Sequence, residues 1–222
     1  PYAGGRAAVY RDWARALPPD IDVCPVELPG RGVRSAEPLL DRLDDLVPQI
    51  ARGLRPYLDR PFAFFGHSAG ALIAFELARV LQPEYLFVSA HRAPHIPYCG
   101  RLTSTLSEEE LLLYLRRLGG TPAELLREPN LLIRLLPVLR ADSALSQTYV
   151  YAEGAPLACP ILALGGWDDP LVDRGQLEAW RRHTSGNFSL RMLPGAHFYI
   201  NAMSARLLTL IGHELELLRC TR

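Results

Sequence analysis

One serine in this chain stands where a nucleophile would. Ser68 lies in Gly66-His67-Ser68-Ala69-Gly70, after the apolar run Phe62-Ala63-Phe64-Phe65 and before Ala71-Leu72-Ile73-Ala74-Phe75-Glu76-Leu77-Ala78-Arg79. The first run reads as a buried strand and the second as a helix. A serine between two glycines on a sharp strand-to-helix turn is a nucleophile elbow. Gly66 and Gly70 lack a Cβ, so strand and helix can approach around a strained turn that lifts the hydroxyl clear of the sheet. The same turn places the Ala69 N–H at a helix N-terminus, where unpaired amides favour negative charge. Nucleophile and one oxyanion donor thus come from one turn.

A serine hydroxyl is a weak nucleophile until a base takes its proton. A histidine supplies that base, and a buried carboxylate holds it in the right tautomer. Chains with this elbow carry the three in the order serine, acid, histidine. His197 follows an apolar run and a Pro194-Gly195 turn near the C-terminus, so it is the candidate base. His67, beside the nucleophile on a sharp turn, points elsewhere and supports the elbow. His183 and His213 fall on helical stretches, and His91 and His95 shape the loop after the central strand. Gly166-Trp167-Asp168-Asp169-Pro170 offers two acids. Successive residues leaving a strand point in different directions, so only one can face His197. Asp169, fixed by the proline after it, is preferred; Asp168 is then a solvated or turn-stabilising carboxylate. A second oxyanion donor must come from a loop early in the chain. Ala3-Gly4-Gly5 suits, with Ala3 N–H as the donor; the alternative is a plain glycine turn into the first helix.

The elements that position these residues alternate. Strands are expected over Ile21–Leu28, Phe62–Phe65, Tyr85–Val88, Ile161–Leu164 and Phe188–Leu193. Helices are expected over Ala7–Leu17, about Arg42–Leu58, Ala71 to about Leu81, Leu177–His183 and Met203–Leu218. Pro25 marks an irregularity in the first strand. Helices between short apolar strands imply a mostly parallel sheet covered on both faces, an α/β fold. In such sheets sites lie beyond the carboxyl ends of strands, and Ser68, Asp169 and His197 each follow one. The alternation breaks from Ser107 to about Val150, which is leucine-rich and helical. Ser107-Glu108-Glu109-Glu110 starts a helix, Gly119-Gly120 and Pro122 stop and restart it, and Pro129 and Pro137 punctuate further pieces. The insertion, about 103–150, reads as a lid on a single domain of 1–222; an ordinary surface hairpin is the alternative. Its leucines, Leu125 and Leu126 among them, exceed what one sheet-facing stripe needs, and the surplus could line an acyl chamber.

Composition sets outer bounds. In 222 residues, 24 basic and 24 acidic side chains balance, so no electrostatic argument favours nucleic acid or an anionic membrane. No apolar stretch is long enough to span a bilayer, and no basic-then-apolar leader opens the chain. Cys24, Cys99, Cys159 and Cys220 are scattered without C-x-x-C spacing, which argues against a metal site or a disulfide framework and for reduced thiols in a cytoplasmic protein. The chain opens directly on a motif, and the link from Arg79 to Glu84 is short for a crossover. Absent segments are therefore expected at both places.

Taken together, Pro1-Tyr2-Ala3-Gly4-Gly5, Leu28-Pro29-Gly30-Arg31-Gly32-Val33-Arg34, Gly66-His67-Ser68-Ala69-Gly70-Ala71, Arg92-Ala93-Pro94, Leu118-Gly119-Gly120-Thr121-Pro122, Leu139-Arg140-Ala141-Asp142, Trp167-Asp168-Asp169-Pro170 and Gly195-Ala196-His197-Phe198 carry a resemblance across nearly the whole chain. The chain resembles the type II (editing) thioesterases of polyketide synthase and nonribosomal peptide synthetase pathways, within the α/β-hydrolase superfamily. The resemblance implies a triad of Ser68, Asp169 and His197 and an oxyanion hole of the Ala3 and Ala69 amides, with no metal or organic cofactor. It implies as partner an acyl or peptidyl carrier protein bearing an acyl-phosphopantetheine arm. Two departures stand out. Ala69 replaces a common methionine, which removes a bulky wall while sparing a backbone donor, and His91 replaces a small residue beside Arg92. The rival readings are a carboxylesterase or lipase, a cyclising thioesterase or acyltransferase, and an inactive carrier-binding module.

Overall fold

The structure is a computed structural model that describes residues 1–120 and 128–220. Four strands, β1 (Ala63–His67), β2 (Tyr85–Ser89), β3 (Ile161–Gly166) and β4 (Phe188–Leu193), form one sheet in that spatial order. Every pairing is parallel, with Phe65 opposite Phe87, Phe87 opposite Leu162, and Leu162 opposite Ser189. Parallel strands need crossovers, and these are supplied by helices on both faces.

Eight α-helices lie among the described residues: α1 (Trp13–Ala16), α2 (Leu43–Leu54), α3 (Ala69–Leu81), α4 (Glu108–Leu118), α5 (Pro129–Gln147), α6 (Arg174–Glu178), α7 (Tyr199–Ala202) and α8 (Ser204–Cys220). Alternation along the strands divides the core. Phe87, Leu162 and Leu164 face Trp13, Leu207, Leu208 and Ile211 of α1 and α8. Leu86, Val88, Ile161 and Ala163 face Ala71, Phe75 and Ala78 of α3, with Leu177 and Trp180 beyond. Both faces are thus covered, which is why the strands read as continuous apolar runs. The amphipathic stripe Leu43, Leu46, Val47 and Ile50 of α2 packs on Leu72, Ile73 and Leu77 of α3.

Several expectations from the sequence are corrected. Residues 21–28 form no strand among the described residues. A cavity of about 690 Å³ is lined by Ile21, Val23 and Val26 of this segment and by Phe62, Phe64 and Phe65. None of Ser68, Asp169 and His197 lines that cavity. The helix expected over Ala7–Leu17 is a 3₁₀ turn at Ala7–Tyr10 followed by the short α1. Gln82 takes the left-handed conformation at φ 53°, and the Glu84 N–H donates to Phe62 O at 2.9 Å. The αL cap turns the chain from α3 into β2.

The insertion between β2 and β3 contains α4 and α5. Ser107 and Glu110 make a reciprocal capping box at the start of α4, and Gly119 ends it at φ 73°. Pro129 occupies the first turn of α5, whereas Pro137 lies inside that helix and does not end it. Pro137 and Ile133, four residues earlier, are both exposed. Much of the leucine surplus packs on itself: Leu111 and Leu115 of α4 meet Leu136 and Leu139 of α5. Leu125 and Leu126, with Thr121 and Pro122 of the matching motif, lie outside the described residues. The four cysteines are free thiols. Among the described residues no helix is long and apolar enough to cross a membrane.

Candidate active site

The elbow is built as a knot of close backbone contacts. A Cβ on Gly66 would lie 2.0 Å from Gly70 O, and one on Gly70 would lie 2.6 Å from Pro1 O. No side chain fits at either place, so β1, the first turn of α3 and the N-terminal loop close on one another only through glycine. Ser68 sits between them at φ 55°, ψ −126°, a conformation that costs a non-glycine residue about 1–3 kcal/mol. It is held there by its N–H, which donates to Ser89 O at 2.8 Å, at the end of the neighbouring strand.

His197 enters from the loop after β4. Its Nε2 lies 3.0 Å from Ser68 Oγ and its Nδ1 lies 2.9 Å from Asp169 Oδ2. The imidazole is 3% exposed and the Asp169 carboxylate is fully buried. Asp169 Oδ1 accepts a second bond, from Leu171 N–H at 2.8 Å, so the carboxylate is fixed at both oxygens. With Nδ1 donating to the carboxylate, Nε2 presents its lone pair to the serine hydroxyl, the tautomer a general base needs. Asp168 is exposed, and its backbone N–H donates to Gly195 O at 3.0 Å. That bond ties the β3 loop to the β4 loop and leaves the Asp168 side chain in solvent. Gly166 allows the same approach, since a Cβ there would strike Gly195 O at 2.3 Å.

The loop at residues 1–5 lies over the elbow. Tyr2 packs edge-on against His67 and Phe198. Gly5 N–H donates to Tyr2 O at 2.8 Å, closing a turn with Ala3 and Gly4 at its centre and Gly4 at φ 74°. Among the described residues neither the Ala3 N–H nor the Ala69 N–H donates a hydrogen bond. Both amides are therefore unspent, the Ala69 N–H directly after the serine at the N-terminus of the 13-residue α3 and the Ala3 N–H in the turn of the N-terminal loop.

The remaining histidines make no bond to Ser68. His67 Nδ1 lies 2.7 Å from Ser89 Oγ, which in turn meets the Tyr199 hydroxyl at 2.5 Å. The Ser89 hydroxyl is thus engaged behind the elbow. Burial holds the His67 imidazole well below its ordinary pKa, so it is neutral at physiological pH. His91 bonds through Nδ1 to Arg92 O, and burial followed by the Arg92 charge pushes its pKa down to about 3. His95 and His183 pair with each other at 2.7 Å, away from the serine. Among the described residues no group of three or more metal-ligating side chains occurs.

One feature of the site went unassigned from sequence. Arg31 and Asp142, each buried, form a bidentate ion pair, and Asp142 Oδ2 accepts the Gly4 N–H at 2.7 Å. The sequence signal was available. Asp142 stands three residues from Leu139 and three from Leu145, both buried, so it falls on the buried face of α5, where a carboxylate requires a partner.

The thioesterase domain family matches residues 1–215. Linear gramicidin dehydrogenase LgrE of Brevibacillus parabrevis is 46% identical over 224 residues, covering 97% of this chain and 85% of that protein. The RedJ thioesterase from the prodiginine biosynthetic pathway of Streptomyces coelicolor superposes with a TM-score of 0.92 at 40% identity, covering 96% of this chain and 87% of that one. The type II thioesterase BorB from the borrelidin biosynthetic cluster gives a TM-score of 0.90 at 41% identity, covering 97% and 90%. A parallel sheet flanked by helices, a serine on a strand-to-helix elbow and these likenesses lead to one conclusion: the chain has the α/β-hydrolase fold and belongs to the thioesterase family.

Proposed function

We propose that this thioesterase hydrolyses acyl groups held on the phosphopantetheine arm of acyl or peptidyl carrier proteins, clearing stalled or wrongly primed units during polyketide or nonribosomal peptide assembly. The observation that carries the reading is the hydrogen-bonded series Ser68–His197–Asp169 at the elbow of a thioesterase-family chain. The pathway origin of RedJ and BorB supports the substrate class.

Ser68 Oγ attacks the thioester carbonyl carbon while His197 Nε2 takes the hydroxyl proton. The oxyanion rests on the Ala3 and Ala69 N–H groups, each donor of this kind supplying roughly 3 kcal/mol of transition-state stabilisation. The C–S bond breaks and the thiol leaves with the proton returned by His197. Water, deprotonated by the same nitrogen, then releases the acid from acyl-Ser68. Asp169 keeps the Nδ1–H oriented throughout and stabilises the imidazolium. Residues of about 103–150 act as a lid that opens to admit the arm, on a single domain.

The test compares kcat/KM for carrier-bound acyl thioesters with that for small oxygen esters. A preference for the thioesters supports the reading, and a preference for esters favours a carboxylesterase. Recovery of macrocyclic or acyl-transfer products would favour a cyclising enzyme or acyltransferase. The name of one relative, linear gramicidin dehydrogenase LgrE, raises an oxidoreductase as a further alternative. Residues 30–35 read Gly-Arg-Gly-Val-Arg-Ser, short of the dinucleotide fingerprint G-x-G-x-x-G. Substrate-dependent oxidation of NADPH by the purified protein would favour that alternative.

A further inference from the structure

Two of the stretches that carry the family likeness, 28–34 and 139–142, contribute nothing to the triad. Each supplies one half of a buried ion pair. The Asp142 side chain is 2% exposed and that of Arg31 is 6% exposed. Both guanidinium Nη atoms donate to the carboxylate, Nη2 reaching Oδ1 at 2.6 Å. Arg31 is itself held by Pro29 O, to which Nε and Nη2 donate at 3.3 Å.

The pair grips the turn that carries Ala3 from both sides. Asp142 Oδ2 accepts the Gly4 N–H at 2.7 Å, and Arg31 Nη1 donates to Gly5 O at 3.3 Å. Leu139, one helical turn before Asp142, lies so close that a Cβ on Gly4 would meet its Cδ2 at 2.6 Å. The Gly4 N–H belongs to the central peptide of the Tyr2–Gly5 turn, and positive φ at Gly4 is the signature of a type II turn. Flipping that peptide would aim the Ala3 carbonyl at the carboxylate in place of the amide. A carboxylate accepts only, so its charge rejects the flipped form; a neutral side chain that can donate would not.

We infer that Asp142, aligned by Arg31, is a positioning residue for catalysis: by holding the Gly4 N–H while Arg31 holds the Gly5 carbonyl, it anchors the turn whose preceding peptide, Tyr2–Ala3, carries the Ala3 N–H to the oxyanion hole. The inference rests on the proposed roles of Ser68 and the Ala3 amide. Because Asp142 lies on α5, it also makes the helical insertion and the oxyanion loop one mechanical unit.

The test compares wild type, Asp142→Asn and the double variant Arg31→Met/Asp142→Leu on an acyl-pantetheine thioester. Removing a buried ion pair whole is often neutral for stability, so the double variant keeps the test open if the single one folds poorly. The expected result is a fall in kcat of about 10- to 100-fold with KM within about threefold, approaching the 10²–10³-fold loss typical of a missing oxyanion donor. Affinity for a boronic acid that mimics the tetrahedral adduct should fall in parallel. The double variant should regain thermal stability without regaining kcat, a separation that a merely structural role cannot produce. Wild-type kcat in either folded variant, or a change confined to KM, overturns the inference. Ser68→Ala serves as the control: if it retains turnover, the proposed function fails first, whereas an inactive Ser68→Ala beside a fully active Asp142→Asn defeats only the positioning role.

Discussion

His197 Nε2 stands 3.0 Å from Ser68 Oγ although 129 positions separate the two residues in the chain. Their meeting depends on the order of the parallel sheet, which brings the carboxyl ends of β1, β3 and β4 to one edge. The contact also accounts for the strain at Ser68, whose positive φ aims the hydroxyl at the imidazole. Replacing Ser68 by glycine should abolish turnover and at the same time raise stability by about 1 kcal/mol, since glycine adopts that conformation without penalty. Urea unfolding of the variant beside wild type reads the gain. A lower midpoint would show that the serine side chain stabilises the elbow.

The two neighbouring aspartates should separate sharply. Asp169→Asn leaves the shape intact but offers His197 the wrong hydrogen-bonding pattern, and loss of such a carboxylate lowers kcat by about 10⁴-fold in a comparable triad. Asp168→Asn touches an exposed side chain and should leave kcat within about twofold. Steady-state kinetics on one acyl thioester decides, and the reverse ranking would reassign the acid.

Acid should destabilise the fold through buried imidazoles. His91 is held neutral, its pKa pushed down to about 3 by burial and by Arg92, and His67 is shifted in the same direction. In the unfolded chain each takes up a proton near pH ~6.5. Below that pH the unfolded state binds more protons than the native state, so stability is lost progressively as pH falls from about 6.5 toward 3. His91→Gln should flatten this slope. Urea midpoints at pH 7 and pH 4.5 measure it, and an unchanged slope would remove His91 from the account.

The insertion should tune chain length. Leu135 is half-buried beside Leu139 and within 3.8 Å of the space above Gly4. Leu135→Ala enlarges the room between α5 and the oxyanion loop, so kcat/KM should shift toward longer or branched acyl groups. A panel of acyl-carrier substrates of graded length reads this, and an unaltered profile would favour a surface hairpin over a lid.

Much of the architecture was legible because its signals are local. The elbow needs only five consecutive residues, and strands buried on both faces, such as Leu86–Val88 and Ile161–Leu164, announce themselves as apolar runs. Pairing is not local. Residues 21–28 have strand-like composition, yet they join no ladder among the described residues, and composition alone names no partner strand. The choice between Asp168 and Asp169 likewise turns on a backbone bond from Asp168 to Gly195, set by two loops meeting at a pair of glycines. Arg31 and Asp142 were visible as parts of motifs, but their joint hold on Gly4 appears only once α5 is laid against the N-terminal turn. Pro137 shows the opposite failure: a helix breaker by propensity, it sits at an exposed position of α5 without ending the helix.

The central claim is that Ser68 carries the acyl group between carrier and water. It is tested most directly by mixing the protein with an acyl-loaded carrier, quenching in acid during the first turnover and mapping the adduct by peptide mass spectrometry. The account predicts an acyl mass on the peptide containing Ser68, absent in Ser68→Ala together with turnover. An adduct on another residue, or undiminished hydrolysis by Ser68→Ala, would contradict it.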